Sequence, residues 1–262
     1  MAIYEKNCVV IITGASVDIG RAFANSFASK LNSNSLLILS SRSLEKINHV
    51  KEQLKNDFPN VNVATVEWGN KPISPRASDY KGDLQRIAKD KSFDVAIVVH
   101  NAVVAGDLSE HVSNFGNNLN KLQFVLNVNL FSILALTTAF VEVFEAVPKK
   151  FLVNMTAHSV HVPIPTFGYS SISKAGVEMG LNVLAKENPD VKVLHYDPVL
   201  VDTEGTRSLM KDTVNETVRG FFKSFYEENK LLTASDVADN LVKLLAQDSF
   251  ESGSVVEASD VL

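Results

Sequence analysis

The chain has 262 residues, 45% of them hydrophobic and 21% charged, which excludes disorder and leaves ample apolar material for a sizeable core. A formal net charge of -5, with basic residues dispersed along the chain, argues against a nucleic-acid footprint. Cys8 is the only cysteine, so an intrachain disulfide and a cysteine-based metal cluster are both excluded, and no metal site is expected.

The first apolar run, Cys8 to Ile12, is too short for a membrane span and lacks the basic flank and cleavage site of a signal peptide. The expectation is a cytoplasmic protein with no membrane attachment. Further short, β-branched runs follow at Leu36 to Ser40, Val61 to Val66, Phe93 to His100, Phe151 to Met155 and Val191 to Tyr196. Strands this apolar are predicted to be covered on both faces, as in a parallel sheet flanked by helices. Helical spacing joins them: Ile19, Ala22, Phe23 and Phe27 after the first run, then Leu44, Ile47, Val50 and Leu54 after the second. Leu119 to Val147 reads as one long helix, apolar on more than one face. Thr233-Ala234-Ser235-Asp236 has the form of a capping box opening a helix through Ala246, and Ser254 to Glu257 is a last strand.

A βαβαβ order with right-handed crossovers predicts the α/β class: a Rossmann-type, doubly wound parallel sheet with helices on both faces. No linker, repeat or low-complexity tract divides the sequence, so residues 1–262 are read as a single domain. The Asn-x-Thr matches at Asn154 and Asn215 are read as chance.

Thr13-Gly14-Ala15-Ser16-Val17-Asp18-Ile19-Gly20 lies where a strand passes into a helix, a place where backbone amides and the helix N-terminus receive a dinucleotide pyrophosphate. Further on, Asn129 sits in the long helix, and Asn154-Met155-Thr156-Ala157 precedes Tyr169-Ser170-Ser171-Ile172-Ser173-Lys174. These segments resemble the short-chain dehydrogenase/reductase family. Asn101-Ala102 with Gly106-Asp107-Leu108-Ser109, Leu194-His195-Tyr196-Asp197-Pro198 with Asp202-Thr203, and Phe250-Glu251-Ser252-Gly253 are similar to its sepiapterin reductase group, nearly end to end.

The resemblance implies a homodimer built on two long helices per subunit, here Leu119 to Val147 and Tyr169 to Lys186, and NADPH-dependent reduction of a pterin side-chain ketone. It assigns cofactor contacts to Gly14, Ser16, Ile19, Gly20, Arg42, Asn101 and Thr203, and a substrate contact to Glu257, where the group carries an Asp. Arg42 follows the second strand with no acidic residue in its place, which favours NADP over NAD for any cofactor retained. Trp68 is expected beside the adenine end of the pocket. Asn129 and Lys174 match two members of the catalytic set.

The remaining positions depart from the family. Asp18 stands at its middle glycine, Val103 and Val199 at two further glycines, Ala157 at its catalytic Ser and Ser170 at its catalytic Tyr. A carboxylate ~4 Å from a pyrophosphate repels it by about 1 kcal/mol in water and roughly 4 kcal/mol at an intermediate dielectric. Asp18 is alternatively an outward side chain or a helix N-cap. Ser170 lacks the acidity of a phenol, and Tyr169 lies one residue, about 100° of helix, from the required position.

The leading expectation is a catalytically degenerate member, with NADP binding weakened or lost, acting by binding a protein or small ligand. The alternative is an NADPH-dependent carbonyl or pterin oxidoreductase with its donor displaced to Tyr169 and with Thr156 or Ser159 in place of the missing serine. A third is a non-redox enzyme using His158 or His161 near neutral pH.

Overall fold

The computed structural model describes residues 3–69 and 75–261. In chain order its elements are β1 (Cys8–Ile12), α1 (Asp18–Ala28), β2 (Leu36–Ser41), α2 (Leu44–Asp57), β3 (Asn62–Glu67), α3 (Ser78–Ala88) and β4 (Val95–His100). Next come α4 (Leu119–Leu126), a π-helical turn (Asn127–Phe131), α5 (Ser132–Val143), β5 (Lys149–Met155), α6 (Gly168–Glu187) and β6 (Val191–Asp197). The chain closes through α7 (Glu204–Asp212), α8 (Glu216–Glu227), α9 (Ala234–Gln247) and β7 (Ser254–Glu257).

The strands form one sheet in the order β3-β2-β1-β4-β5-β6-β7, every pair parallel. The strand sequence reverses direction between β1 and β4, and α/β folds open their ligand crevice at the carboxyl ends beside such a switch. Side chains alternate across the sheet with period two. Cys8, Val10 and Ile12 of β1 enter one core layer with Phe23 and Phe27 of α1, Ile47 and Leu54 of α2, and Leu241 and Leu245 of α9. Val9 and Ile11 enter the other, with Tyr80 of α3, Leu136 and Phe140 of α5, and Val177 and Leu181 of α6. β3 is different from its prediction: it is one edge of the sheet, and Val66 is its one fully buried residue.

Local chemistry sets several boundaries. Ser43, Thr203 and Asn215 each accept a backbone N–H at the start of α2, α7 and α8, and Thr233 with Asp236 forms the reciprocal capping box that opens α9. Asn215 is thus a helix cap. The long helix read over Leu119 to Val147 is corrected on two counts. It ends at Val143, five residues short of Pro148, and the π-turn at Asn127–Phe131 divides it. A π-turn inserts an extra residue into a helix and is enriched at functional sites. Leu119–Val143 is long and apolar enough to cross a membrane by composition alone, with mean hydropathy 2.0, but half of it is buried inside the fold. Its apolarity serves the layer in which α5 packs between α3 and α6.

Candidate active site

The turn after β1 is held against the end of β4. Thr13 Oγ1 accepts N–H groups from Asn101 (2.9 Å) and Ala102 (3.0 Å), while Asn101 Nδ2 donates to the carbonyls of Thr13 (3.0 Å) and Gly14 (3.3 Å). Gly14 adopts φ +67°, and a Cβ on Gly20 would lie 2.1 Å from the Gly14 carbonyl oxygen, so close approach of α1 to this turn requires glycine at both positions. Asn101 is therefore a brace of the turn as well as a cofactor candidate.

Asp18 has a left-handed backbone, at φ +45°, and its side chain is exposed. The N-cap of α1 is Val17, with no side-chain cap bond, which removes the N-cap role considered for Asp18. Asp tolerates this conformation better than most residues. Val199 has the same feature at φ +53°, where a β-branched side chain is an outlier costing about 1–3 kcal/mol. Its N–H donates to Asp197 Oδ1 at 2.8 Å, a local turn that holds the strained residue. Val103, where the resemblance expects a third glycine, is exposed.

The other cofactor candidates are engaged within the fold. Ser16 Oγ accepts from Ser41 Oγ at 3.0 Å, Ile19 packs against the core, and Arg42 is exposed at the end of β2 beneath Gly69, whose added Cβ would fall 2.2 Å from Arg42 Cα. Thr203 spends its hydroxyl on the cap of α7, accepting from Thr206 N at 3.1 Å. Trp68 does not present its ring to the pocket. It is 8% exposed, packs edge-on against Tyr80 and donates Nε1–H to Asp83 at 3.0 Å.

In the catalytic segment, Asn129 lies on the π-turn, and its amide binds the backbone of Val104 on both sides: Oδ1 accepts from N (2.9 Å) and Nδ2 donates to O (2.8 Å), with a further bond to Ser173 Oγ (3.2 Å). Lys174 donates to the carbonyls of Met155 (2.6 Å) and Thr156 (3.1 Å) at the end of β5. Burial pulls the Lys174 ammonium down to about 8, against the opposing pull of the Asp197 and Glu178 carboxylates. The space between these residues, His100, Asn101 and Asn154 is a cavity of about 10 Å³, roughly one water.

Ser170 stands one helical turn before Lys174, so it shares its face, and Ala157 begins the short 3-10 turn His158–Val160 after β5. Tyr169 points elsewhere. Its hydroxyl donates to Glu110 Oε2 at 2.7 Å, its ring stacks on Phe115 with centroids 4.0 Å apart, and it is 1% exposed. Burial is the main cause, and the Glu110 carboxylate the second, of a phenol pushed up to about 12. Gly106, at φ +82°, lies against this ring, since a Cβ there would meet Tyr169 Cβ at 2.5 Å. The displaced-donor reading needs this phenol beside Lys174, and the fold holds it in a separate apolar pocket.

Thr156 also has a partner: its hydroxyl donates to Glu178 Oε2 at 2.8 Å, and the other Glu178 oxygen faces His161 Nε2 at 3.4 Å. Ser159 Oγ is buried with no hydrogen-bond partner among the described residues. His195 is fully buried between Asn154 and Asn182, whose contacts at 3.0 Å fit a neutral ring, and burial depresses its pKa. His100 binds Thr137 at 3.0 Å and is held near 3 by burial. Neither of these two histidines was singled out as a candidate. Although no metal site was expected, His158, Asp197 and Glu257 bring their donor atoms within 4.8 Å of one another.

The parallel seven-stranded sheet, the glycine turn at its switch point and the Asn129–Lys174 pair define a dinucleotide-type oxidoreductase scaffold. The family model for short chain dehydrogenases matches residues 8–214, and the chain belongs to that family. It is 29% identical over 257 residues to sepiapterin reductase of Rattus norvegicus, covering 97% of each chain. It is 24% identical to benzil reductase ((S)-benzoin forming) of Bacillus cereus, over 96% of this chain and 99% of that one. Among solved structures, a short chain dehydrogenase of Shigella flexneri 2a complexed with NADP superposes with a TM-score of 0.77 at 20% identity, over 99% of this chain and 100% of that one. The protein is a sepiapterin reductase-like member of its family.

Proposed function

We propose that this protein is a short chain dehydrogenase homologue that has lost carbonyl reduction and acts by binding a small ligand or a protein, with NADP affinity weakened. The observation that carries the reading is the orientation of Tyr169, whose hydroxyl is committed to Glu110, while Ser170 stands one helical turn before Lys174. Carbonyl reduction needs a group that protonates the developing alkoxide, and an aliphatic hydroxyl is too weak an acid for that task.

The test is NADPH binding by calorimetry combined with turnover across carbonyl, dicarbonyl and pterin substrates. Trp68 fluorescence is unsuited to it, because the indole is buried against Tyr80. Asp18→Gly is expected to tighten NADPH binding about fivefold, the equivalent of the ~1 kcal/mol repulsion between an exposed carboxylate and a pyrophosphate. Unchanged affinity in Asp18→Gly would clear Asp18 of any part in the weakening.

A second reading is favoured by the relatives, of which the rat protein is a sepiapterin reductase: an NADPH-dependent carbonyl or pterin oxidoreductase using Tyr169. It requires Tyr169 to leave both Phe115 and Glu110. Substantial turnover that disappears in Tyr169→Phe would establish it in place of the first.

For either reading we infer a homodimer through α4, the π-turn, α5 and α6, on which Phe124, Phe131, Leu134, Ile172 and Met179 are exposed. Light scattering is expected to give the mass of a dimer, and Met179→Glu, which places a charge in the apolar face, the mass of a monomer. A monomeric wild-type protein would refute the dimer.

A further inference from the structure

β6 and β7 end side by side, with Asp197 paired to Glu257 in register. Registered neighbours in a parallel sheet point to the same face, so both carboxylates leave the sheet on the side covered by α6. The 3-10 turn after β5 carries His158 over them. Donor atoms of the three residues lie within 4.8 Å of one another, although 99 residues separate the first from the last.

Asp197 is 3% exposed. One of its oxygens is held by the Val199 N–H, and the other accepts no hydrogen bond among the described residues. Lys174 is the cation that acts on it, but that ammonium donates to the carbonyls of Met155 and Thr156. One oxygen of a largely buried carboxylate is thus left open, facing a second carboxylate and an imidazole. A buried charge is ordinarily paired or coordinated to a metal.

We propose that His158, Asp197 and Glu257 form a binding site for a first-row divalent cation of the zinc type. One imidazole and two carboxylates are a borderline-hard donor set, suited to Zn²⁺, Co²⁺ or Mn²⁺ and not to a soft ion such as Cu(I). Metal–ligand distances of ~2.0–2.2 Å require the three groups to close by about 1 Å. Asp197 is the fixed member. His158 is exposed and Glu257 half-exposed, so the two that must move are the two with room to do so. Three protein ligands leave a position for water or for an oxygen of a bound molecule, and that position lies at the carboxyl edge of the sheet where α/β folds take ligands. The site goes beyond the proposed function and does not depend on the fate of the proton donor or of NADP.

The test uses the full-length protein, freed of metal by chelation and titrated with Zn²⁺ by calorimetry and with Co²⁺ by visible absorption. The expected result is one equivalent per chain and a Co²⁺ d–d band of a low-symmetry N/O site. His158→Ala and Glu257→Gln are each expected to weaken binding by more than the about 10–100-fold that loss of a supporting hydrogen bond costs a metal site. His161→Ala, which removes a neighbouring imidazole paired with Glu178, is expected to bind as the wild type does. Circular dichroism confirms that each variant is folded. Absence of saturable binding in the wild type, or binding that survives unchanged in either His158→Ala or Glu257→Gln, overturns the proposal.

Discussion

Ser170→Tyr combined with Ala157→Ser is expected to raise NADPH-dependent reduction of small dicarbonyls by about a hundred- to ten-thousandfold over the wild-type protein, the range that a positioned general acid contributes. Position 170 lies one turn before Lys174 on α6, so a phenol there faces the same side of the helix as the ammonium. Lys174 is half-buried beside the end of β5, where its charge would lower the pKa of a neighbouring phenol. Ala157 opens the turn that follows β5, placing a serine at the mouth of the same cleft. The measurement is initial rate at saturating NADPH, repeated with Asp18→Gly added so that weak cofactor binding cannot mask the gain. A triple variant that binds NADPH tightly yet turns over no faster than the wild type would show that the absent phenol is not the principal defect. Tyr169→Phe alone is expected to leave the wild-type rate unchanged.

Lys174 is also expected to write a pH dependence into stability. In the folded chain it loses its proton at about 8, against an ordinary value of 10.5, because burial penalises the ammonium. Between those values the unfolded state binds more protons, so stability rises with pH. The penalty is full below about pH 8 and gone once the pH passes the unfolded value. The separation corresponds to about 3 kcal/mol. Cys8 and Tyr196, held above their ordinary values by burial, act in the opposite direction from about pH 9 upward. The effect is therefore read as the difference between wild type and Lys174→Met, which share those groups. Urea denaturation from pH 7 to 10.5 should show the wild type gaining on the variant by about 3 kcal/mol, and parallel curves would mean that the ammonium is not desolvated in the fold.

How the site was built divides along a clear line. Gly14 and Gly20 were legible because their task is local, a turn after a strand and a helix start; Asn101, Asn129 and Lys174 were named from the resemblance, and their hydrogen bonds join distant parts of the chain. The direction of Tyr169 was legible only as an angle. Its actual partners, Phe115 and Glu110, come from a loop more than fifty residues earlier, and no local pattern states that they meet it. Thr203 reads as a cofactor contact in the resemblance, but its local sequence is also that of a helix cap, and the cap is what its hydroxyl serves here.

The fold follows the same division. Five-residue runs of Val and Ile cannot be solvated on either face, so their burial, their parallel pairing and the helices that cover them follow from composition and period. The Thr233 capping box and the limits of β7 are likewise chemistry between residues three or four apart. Hydropathy is blind to hydrogen-bond register within a helix, so the π-turn that sets Asn129 against Val104 was hidden inside an unbroken apolar stretch. The sequence reading places no helix at α3, α7 or α8, although α7 and α8 each carry an apolar stripe at helical spacing. By itself, then, the sequence determined the class of fold and the switch-point turn, and put Ser170 where the resemblance expects a phenol. Only tertiary structure decided which side chains share a space. The pairing of Asp197 with Glu257 beneath His158 depends on strand register and on the path of a loop, and both are set by long-range packing that no short window of residues contains.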